Sequence, residues 1–186
     1  MKLTSVAIFV LFGILQAEAQ NGISLGPLTL GGSACRLGSN SYEVSIESGK
    51  LQIPAASIVR KTSSALTRGT CQFVLPIQLD SRHRLVLKNL SAVGDLNLAK
   101  GTTSKVDLEI FAAGSQGDRL ESVEVAQRKI RKTFTLRNQD TVLETECGAS
   151  LNLRGNSALL LQDGGSSSST AALHLIEMEA EVQSCN

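Results

Sequence analysis

The sequence predicts an all-β, single-domain protein, an antiparallel β-sandwich held by two disulfides. Three observations carry this. Short apolar segments alternate in and out with a period of two. Turn residues separate these segments at regular spacing, and no helical stretch is long enough for βαβ crossovers. Finally, an even number of cysteines, Cys35, Cys71, Cys147 and Cys185, stands behind an export signal in a chain of 186 residues.

The signal comes first in the chain. Lys2 gives a positive start, Ser5 to Leu15 is an apolar core, and Ala17-Glu18-Ala19 is an A-x-A cleavage site. Residues 1–19 are therefore a signal peptide and residues 20–186 the exported domain, with Gln20 as its new N-terminus. No later window approaches the roughly 20 apolar residues of a membrane span. The processed chain, about 165 residues, is long enough for one domain with a sizeable core.

The strands follow in order. Tyr42, Val44 and Ile46 alternate with polar neighbours. Phe73, Leu75, Ile77 and Leu79 share a face, and Pro76 between them predicts an edge strand or a bulge. Further apolar segments run over 84–88, 106–110, 123–125, 134–136, 151–153 and 158–161. Predicted turns lie at Ser48-Gly49, Gly94-Asp95, Gly114 to Asp118, Gly155-Asn156 and Asp163-Gly164. From Ile176, the residues Met178, Ala180 and Val182 alternate with Glu177, Glu179 and Glu181, whereas Leu173 and Leu175 lie on the other parity. A strand with a bulge near Leu175-Ile176 accounts for this. A helix over 173–183 is the alternative, since Glu, Met and Ala favour helices. Gly164-Gly165-Ser166 to Thr170 reads as a flexible loop.

Four cysteines allow three pairings. Cys35–Cys71 with Cys147–Cys185 is favoured, because each bond closes one end of the chain onto a nearby strand. Each then closes a loop of roughly 40 residues, worth about 4 kcal/mol in the chain-entropy picture. The isolated spacing lacks the close ligand pairs of a zinc site.

Chemistry is sparse. The formal charge is +1, which gives no electrostatic reason to bind nucleic acid or an anionic membrane as a main task. Aromatics are few and tryptophan is absent, which argues against the aromatic platforms of many sugar-binding sites. Asp80-Ser81-Arg82-His83-Arg84 contains the residue types of a catalytic triad. It lacks a sharp-turn nucleophile and reads as a polar turn. His174 lies between two leucines and points from the opposite strand face. Glu177, Glu179 and Glu181 form a solvated or cross-strand row, with Arg128-Lys129-Ile130-Arg131-Lys132 as a candidate partner; that basic run is also a candidate docking patch for an acidic partner. Gly114 to Asp118 lacks the lysine and helix of a phosphate loop. Asp107, Asp118, Asp140 and Asp163 are scattered, unlike a calcium loop. Asn89-Leu90-Ser91 is a glycosylation sequon.

A family resemblance rests on the order of several motifs. These are Gly32 to Cys35, Arg68 to Cys71 leading into Gln72-Phe73-Val74-Leu75-Pro76-Ile77, Phe111 to Gly117, Phe134, Cys147-Gly148-Ala149 before Leu151-Asn152-Leu153, and Cys185. The chain resembles small secreted four-cysteine proteins of bacteria and filamentous fungi, described only as a domain of unknown function. The resemblance implies a secreted all-β domain with no established activity, and no functional residues beyond the cysteines.

No catalytic set, cofactor or metal site is expected, and the protein is read as not an enzyme. A secreted module that binds a protein or a cell-envelope component is the favoured function. The alternatives are a hydrolase with an unrecognised site, a carbohydrate-binding module and a protease inhibitor. The hydrolase would need a pocket gathering Glu177 or Glu179 with His83 or His174.

Overall fold

Period-two alternation becomes a two-sheet sandwich. The computed structural model describes residues 22–35, 44–61, 65–115, 117–163 and 168–186. Its strands are β1 (Ile23–Leu25), β2 (Thr29–Gly31), β3 (Ser45–Glu47), β4 (Lys50–Lys61), β5 (Leu66–Leu79), β6 (His83–Leu98), β7 (Thr102–Ala112), β8 (Asp118–Val125), β9 (Ile130–Arg137), β10 (Thr141–Glu144), β11 (Ser150–Asp163) and β12 (Ser169–Ser184). The first sheet, A, runs β1-β5-β11-β7-β8 with β2 also on β5; the second, B, runs β10-β6-β12-β4-β3 with β9 also on β6. All strand pairs among the described residues are antiparallel. The expected signal peptide, Tyr42 and Gly164 to Ser167 lie outside the described residues.

Alternate residues of both sheets point inward and fill one aliphatic core. Leu51, Ile53, Leu75, Ile77, Leu85, Leu87, Leu108, Ile110 and Leu153 are its largest fully buried members. Two hydroxyl pairs cross it. Ser57 Oγ on β4 meets Ser157 Oγ on β11 at 2.9 Å, and Ser157 Oγ donates to Cys71 O. A hydroxyl has one proton, so Ser57 is the donor to Ser157. Thr102 Oγ1 on β7 meets Ser169 Oγ on β12 at 3.0 Å. Each pair ties one sheet to the other at a fixed register.

The disulfides pair as expected, Cys35–Cys71 and Cys147–Cys185. The first sits where the chain passes between sheets. Ala34 N donates to Thr70 O on β5, while Ala34 O accepts from Ile58 N on β4. The second holds the segment before β11 to the chain's end, beside the β5–β6 turn. Gly148 N donates to His83 O there, and Cys185 N to Arg82 O.

Three expectations change. Gly94-Asp95 and Gly155-Asn156 are strand interior, in β6 and β11, not turns. Each glycine faces a phenylalanine across the ladder, Gly94 opposite Phe134 and Gly155 opposite Phe73. A Cβ at Gly155 would stand 2.0 Å from Phe73 Cε1, and one at Gly94 2.4 Å from Phe134 Cζ and 2.2 Å from the Ala172 carbonyl. Close approach of a ring, not a turn, is what these glycines serve. The third change concerns Pro76. Its strand is neither an edge strand nor bulged there, since β11 pairs one side and β1 and β2 the other. Pro76 falls in the gap between those two short strands, and its carbonyl accepts from Gly26 N at 2.8 Å. The missing N–H therefore points where no ladder bond is due.

β6 has the same arrangement on sheet B, with β9 and β10 sharing its outer side and a break at Asn89-Leu90. Asn89, in the sequon, has φ of 55° and its N–H donates to Asp140 O. Ser48-Gly49 is a hairpin turn with both residues at positive φ, as a type I′ turn requires. β7 and β8 pair antiparallel as neighbours in the chain, with Ile110 opposite Asp118. Residues 173–183 are strand, with the register shift between Leu173 and Leu175, one step before its predicted place.

Candidate functional site

The bulge in β12 shapes the outer face of sheet B. Leu173 and Ile176 are both buried, so two intervening residues must face out together. They are His174, exposed, and Leu175, half-buried. Around them the ladders set two rows across the strands. One is Arg131-Asn97-Thr170-Arg60; the other is Thr133-Asp95-Ala172-Ile58. The small Thr170 and Ala172 make a floor, and longer side chains on either side make walls. Ala172 faces outward yet is only 5% exposed.

Charge in this groove is organised around Asp95. It accepts from Thr133 Oγ1 at 2.8 Å and pairs with His174 Nε2 at 2.9 Å. These bonds, Thr133 first and then His174, hold its carboxyl below the usual range. Arg131 adds a weaker attraction. Arg60 has no ion pair among the described residues. The groove is thus a polar trough with two guanidinium groups at its ends and an oriented imidazole in the middle.

Further along the same face runs the glutamate row. Glu177 accepts from Lys50 Nζ at 2.8 Å and Gln52 Nε2 at 2.7 Å, and Glu181 pairs with Lys88. The hydrogen bond to Lys50 is the main cause of the lowered Glu177 pKa, and that to Lys88 of the lowered Glu181 pKa. Glu179 lies opposite both lysines. The cross-strand reading is right, but the partner is not the basic run at 128–132. β9 is separated from β12 by β6, and its Lys132 reaches instead across the sandwich edge to Glu124 on β8, at 2.6 Å.

A second concavity, about 1130 Å³, lies at the open edge between β1 and β3. Ile23, Leu25, Val44, Ile46 and Val182 line it, and Asp80 and His83 stand at its rim. Asp80 Oδ1 accepts from Arg82 N at 2.9 Å and meets His83 Nδ1 at 2.7 Å. The bond to His83 is the larger cause of Asp80's lowered pKa. This is a carboxylate-oriented imidazole, one half of a triad. Among the described residues no hydroxyl is hydrogen-bonded to the ring, and Ser81 is exposed in the polar turn. Glu177 engages Lys50 and Gln52, and His174 engages Asp95, so the glutamate–histidine set that a hydrolase would need is not brought together.

Among the described residues no three His, Cys, Asp or Glu converge as metal ligands. The four cysteines, the only site residues the sequence singles out, are spent in disulfides. The groove itself has no sequence signature, because its rows come from four strands paired at long range. The one available signal was the parity break at Leu173 to Ile176.

Among solved structures the chain is similar to TmCBM61 in complex with beta-1,4-galactotriose, at 12% identity and TM-score 0.30, covering 86% of this chain and 89% of that one. It is also similar to the family 11 carbohydrate-binding module from Clostridium thermocellum in complex with a beta-1,3-1,4-mixed-linked tetrasaccharide, at 10% identity and TM-score 0.26, covering 84% and 86%. At such scores neither likeness bears on a ligand for this chain. No curated protein matches it. Residues 21–184 match the family described as domain of unknown function, DUF4360.

Proposed function

The chain belongs to the DUF4360 family, and from its outer faces we propose that it is an exported, non-enzymatic binding module whose partner is a protein or a cell-envelope component. One observation carries the reading: the trough on sheet B, where outward Ala172 is 5% exposed between walls that carry Arg60, Asp95, Arg131 and His174. A floor of small residues under polar walls receives a chain-like ligand; a solvated sheet face would not need one. Export is supported by the signal-peptide pattern and by two disulfides, which persist in oxidising compartments. The paired ladders of Lys50–Glu177 and Lys88–Glu181 favour a rigid display surface over a catalytic one, since each carboxylate is already neutralised.

The test is capture. The processed, oxidised protein and its Arg60→Glu/Arg131→Glu variant are immobilised and exposed to the native secretome and an envelope extract. A component retained by the wild type and lost from the variant supports the proposal. Equal retention by both, or none by either, overturns it.

A further inference from the structure

The near-neutral net charge conceals a molecule with two unlike ends. One end carries the last residues of β4, β6, β8 and β11 and the first of β5, β7, β9 and β12. It gathers Arg60, Arg68, Lys100, Arg128, Lys129 and Arg131, none of them in an ion pair among the described residues. Among the described residues, Asp95 there is engaged with His174, Asp107 and Glu121 with Lys105 and Arg119, and Glu124 with Lys132. At the opposite end Glu47, Asp140, Glu146 and Glu179 have no such partner among the described residues, and Arg82 is an unpaired cation beside them.

Exposed apolar surface collects at the same basic end. Among the described residues the exposed large hydrophobic side chains are Leu66, Val123 and Val125, at 54%, 54% and 51%. All three fall in two neighbouring rows on the outer face of sheet A. The rows are Leu66-Gln162-Thr103-Val125 and Arg68-Leu160-Lys105-Val123. Neither row contains an acid. Aliphatic side chains interleaved with long cations, whose stems can lie along an apolar surface while their heads stay wet, are the chemistry of an interfacial contact.

We propose that this end of the sandwich docks on an anionic lipid surface, with Leu66, Val123 and Val125 at the acyl boundary and Arg68, Arg128 and Lys129 among the headgroups. A specific protein partner fits less well. The patch offers no aromatic side chain and no pocket to seat an anchor, the features around which tight protein interfaces are built. Cations spread over several connections suit a fluid, diffuse negative surface. The proposal rests on Leu66, Val123, Val125, Arg68, Arg128 and Lys129, none of which lines the trough on sheet B, and it is tested without Arg60 and Arg131, which that trough shares with this end.

The experiment is co-sedimentation of the exported, oxidised chain with vesicles. One set is equal parts phosphatidylglycerol and phosphatidylcholine; the other is phosphatidylcholine alone. The expected result is partitioning to the anionic vesicles only, lost between ~0.1 M and ~1 M salt as the screening length falls from ~10 to ~3 Å. Arg128→Glu/Lys129→Glu should lower partitioning by at least about 25-fold, since each of the two cations lost counts for about fivefold and the new carboxylates add repulsion. Val123→Ser/Val125→Ser should weaken it with the salt dependence unchanged. Arg137→Glu/Arg154→Glu, an equal charge change away from that end, should alter it by less than about threefold. All variants are checked for unchanged melting. Equal binding to neutral vesicles, no binding to either, or equal damage from the two charge reversals would overturn the proposal. Capture by soluble polyglutamate without vesicle binding would also overturn it, in favour of an acidic protein partner.

Discussion

Replacing Gly155 by alanine tests whether a strand glycine is there to hold a ring. The Cβ would stand 2.0 Å from Phe73 Cε1, 2.5 Å from Cζ and 2.7 Å from Cδ1. Phe73 is 5% exposed among Leu75, Ile110 and Leu153, so the ring has no outward escape. Gly155 pairs directly with Phe73 and with Ile110, so its strand cannot retreat without breaking one ladder or the other. Overpacking of this kind costs about 1–3 kcal/mol, and three ring atoms in conflict put Gly155→Ala near 3 kcal/mol. For a domain of this size that lowers Tm by about 6–12 °C. Urea and thermal unfolding followed by circular dichroism would measure it. Gly31→Ala is the matched control: it also lies in a strand of sheet A, and nothing is within 4 Å of its Cβ. It should be neutral or stabilise by about 0.4–1 kcal/mol. Phe73→Leu should relieve Gly155→Ala, with a coupling of at least ~1 kcal/mol between the two. Additive effects, or a Gly155→Ala variant as stable as Gly31→Ala, would refute the ring-clearance argument.

Removing Cys147–Cys185 by a double serine substitution should cost about 4 kcal/mol, from the sequence separation of 38 that it closes; chemical denaturation with and without reductant measures this. Ser157→Ala should cost about 1–3 kcal/mol, because it strands the buried Ser57 hydroxyl. Ser57→Ala should cost only about 1 kcal/mol, since Ser157 keeps its bond to Cys71 O. Asp80, Asp95, Glu177 and Glu181 have lowered pKa values, so the stability they contribute is present above the ordinary carboxylate range and is lost as pH falls through it. Asp118 has the opposite sign: burial first, then the charge of Asp140, raises its pKa. Asp118→Asn should therefore be more stable than the wild type at neutral pH, with the advantage shrinking as pH falls through the raised Asp118 pKa and vanishing below the ordinary carboxylate value, as melts across pH 3–8 would record.

The fold class was legible because alternation is local. Each strand announces its two faces through neighbours two residues apart, and the disulfide pairing followed from end closure. What the sequence concealed was non-local. Gly94, Gly155 and Pro76 look like punctuation to a local reading, and only the cross-strand ring or the break in a neighbouring strand reveals their use. The basic run at 128–132 matched the glutamate row in charge, but strand order put β6 between them. The trough on sheet B depends on four strands meeting in register, and the exposed patch on sheet A on four others. No window of sequence contains either. Net charge was the most misleading quantity, since it averages over the two ends that the fold separates.

The strand order has a consequence for how the chain acquires its shape. Among the described strands only β3–β4 and β7–β8 pair with a sequential neighbour; every other ladder joins segments distant in sequence. The extreme example is β4 with β12, whose register includes Lys50 opposite Glu179. Such a topology delays its reward: long loops must close before most contacts form, which places folding in the millisecond-to-second range or slower. Sheet B in particular cannot acquire its central ladder until β12, far along the chain from β4 and β6, has arrived. Until then β4 and β6 present long, apolar, unpaired edges. Pairing of those edges with a second unfinished chain competes with their pairing to β12.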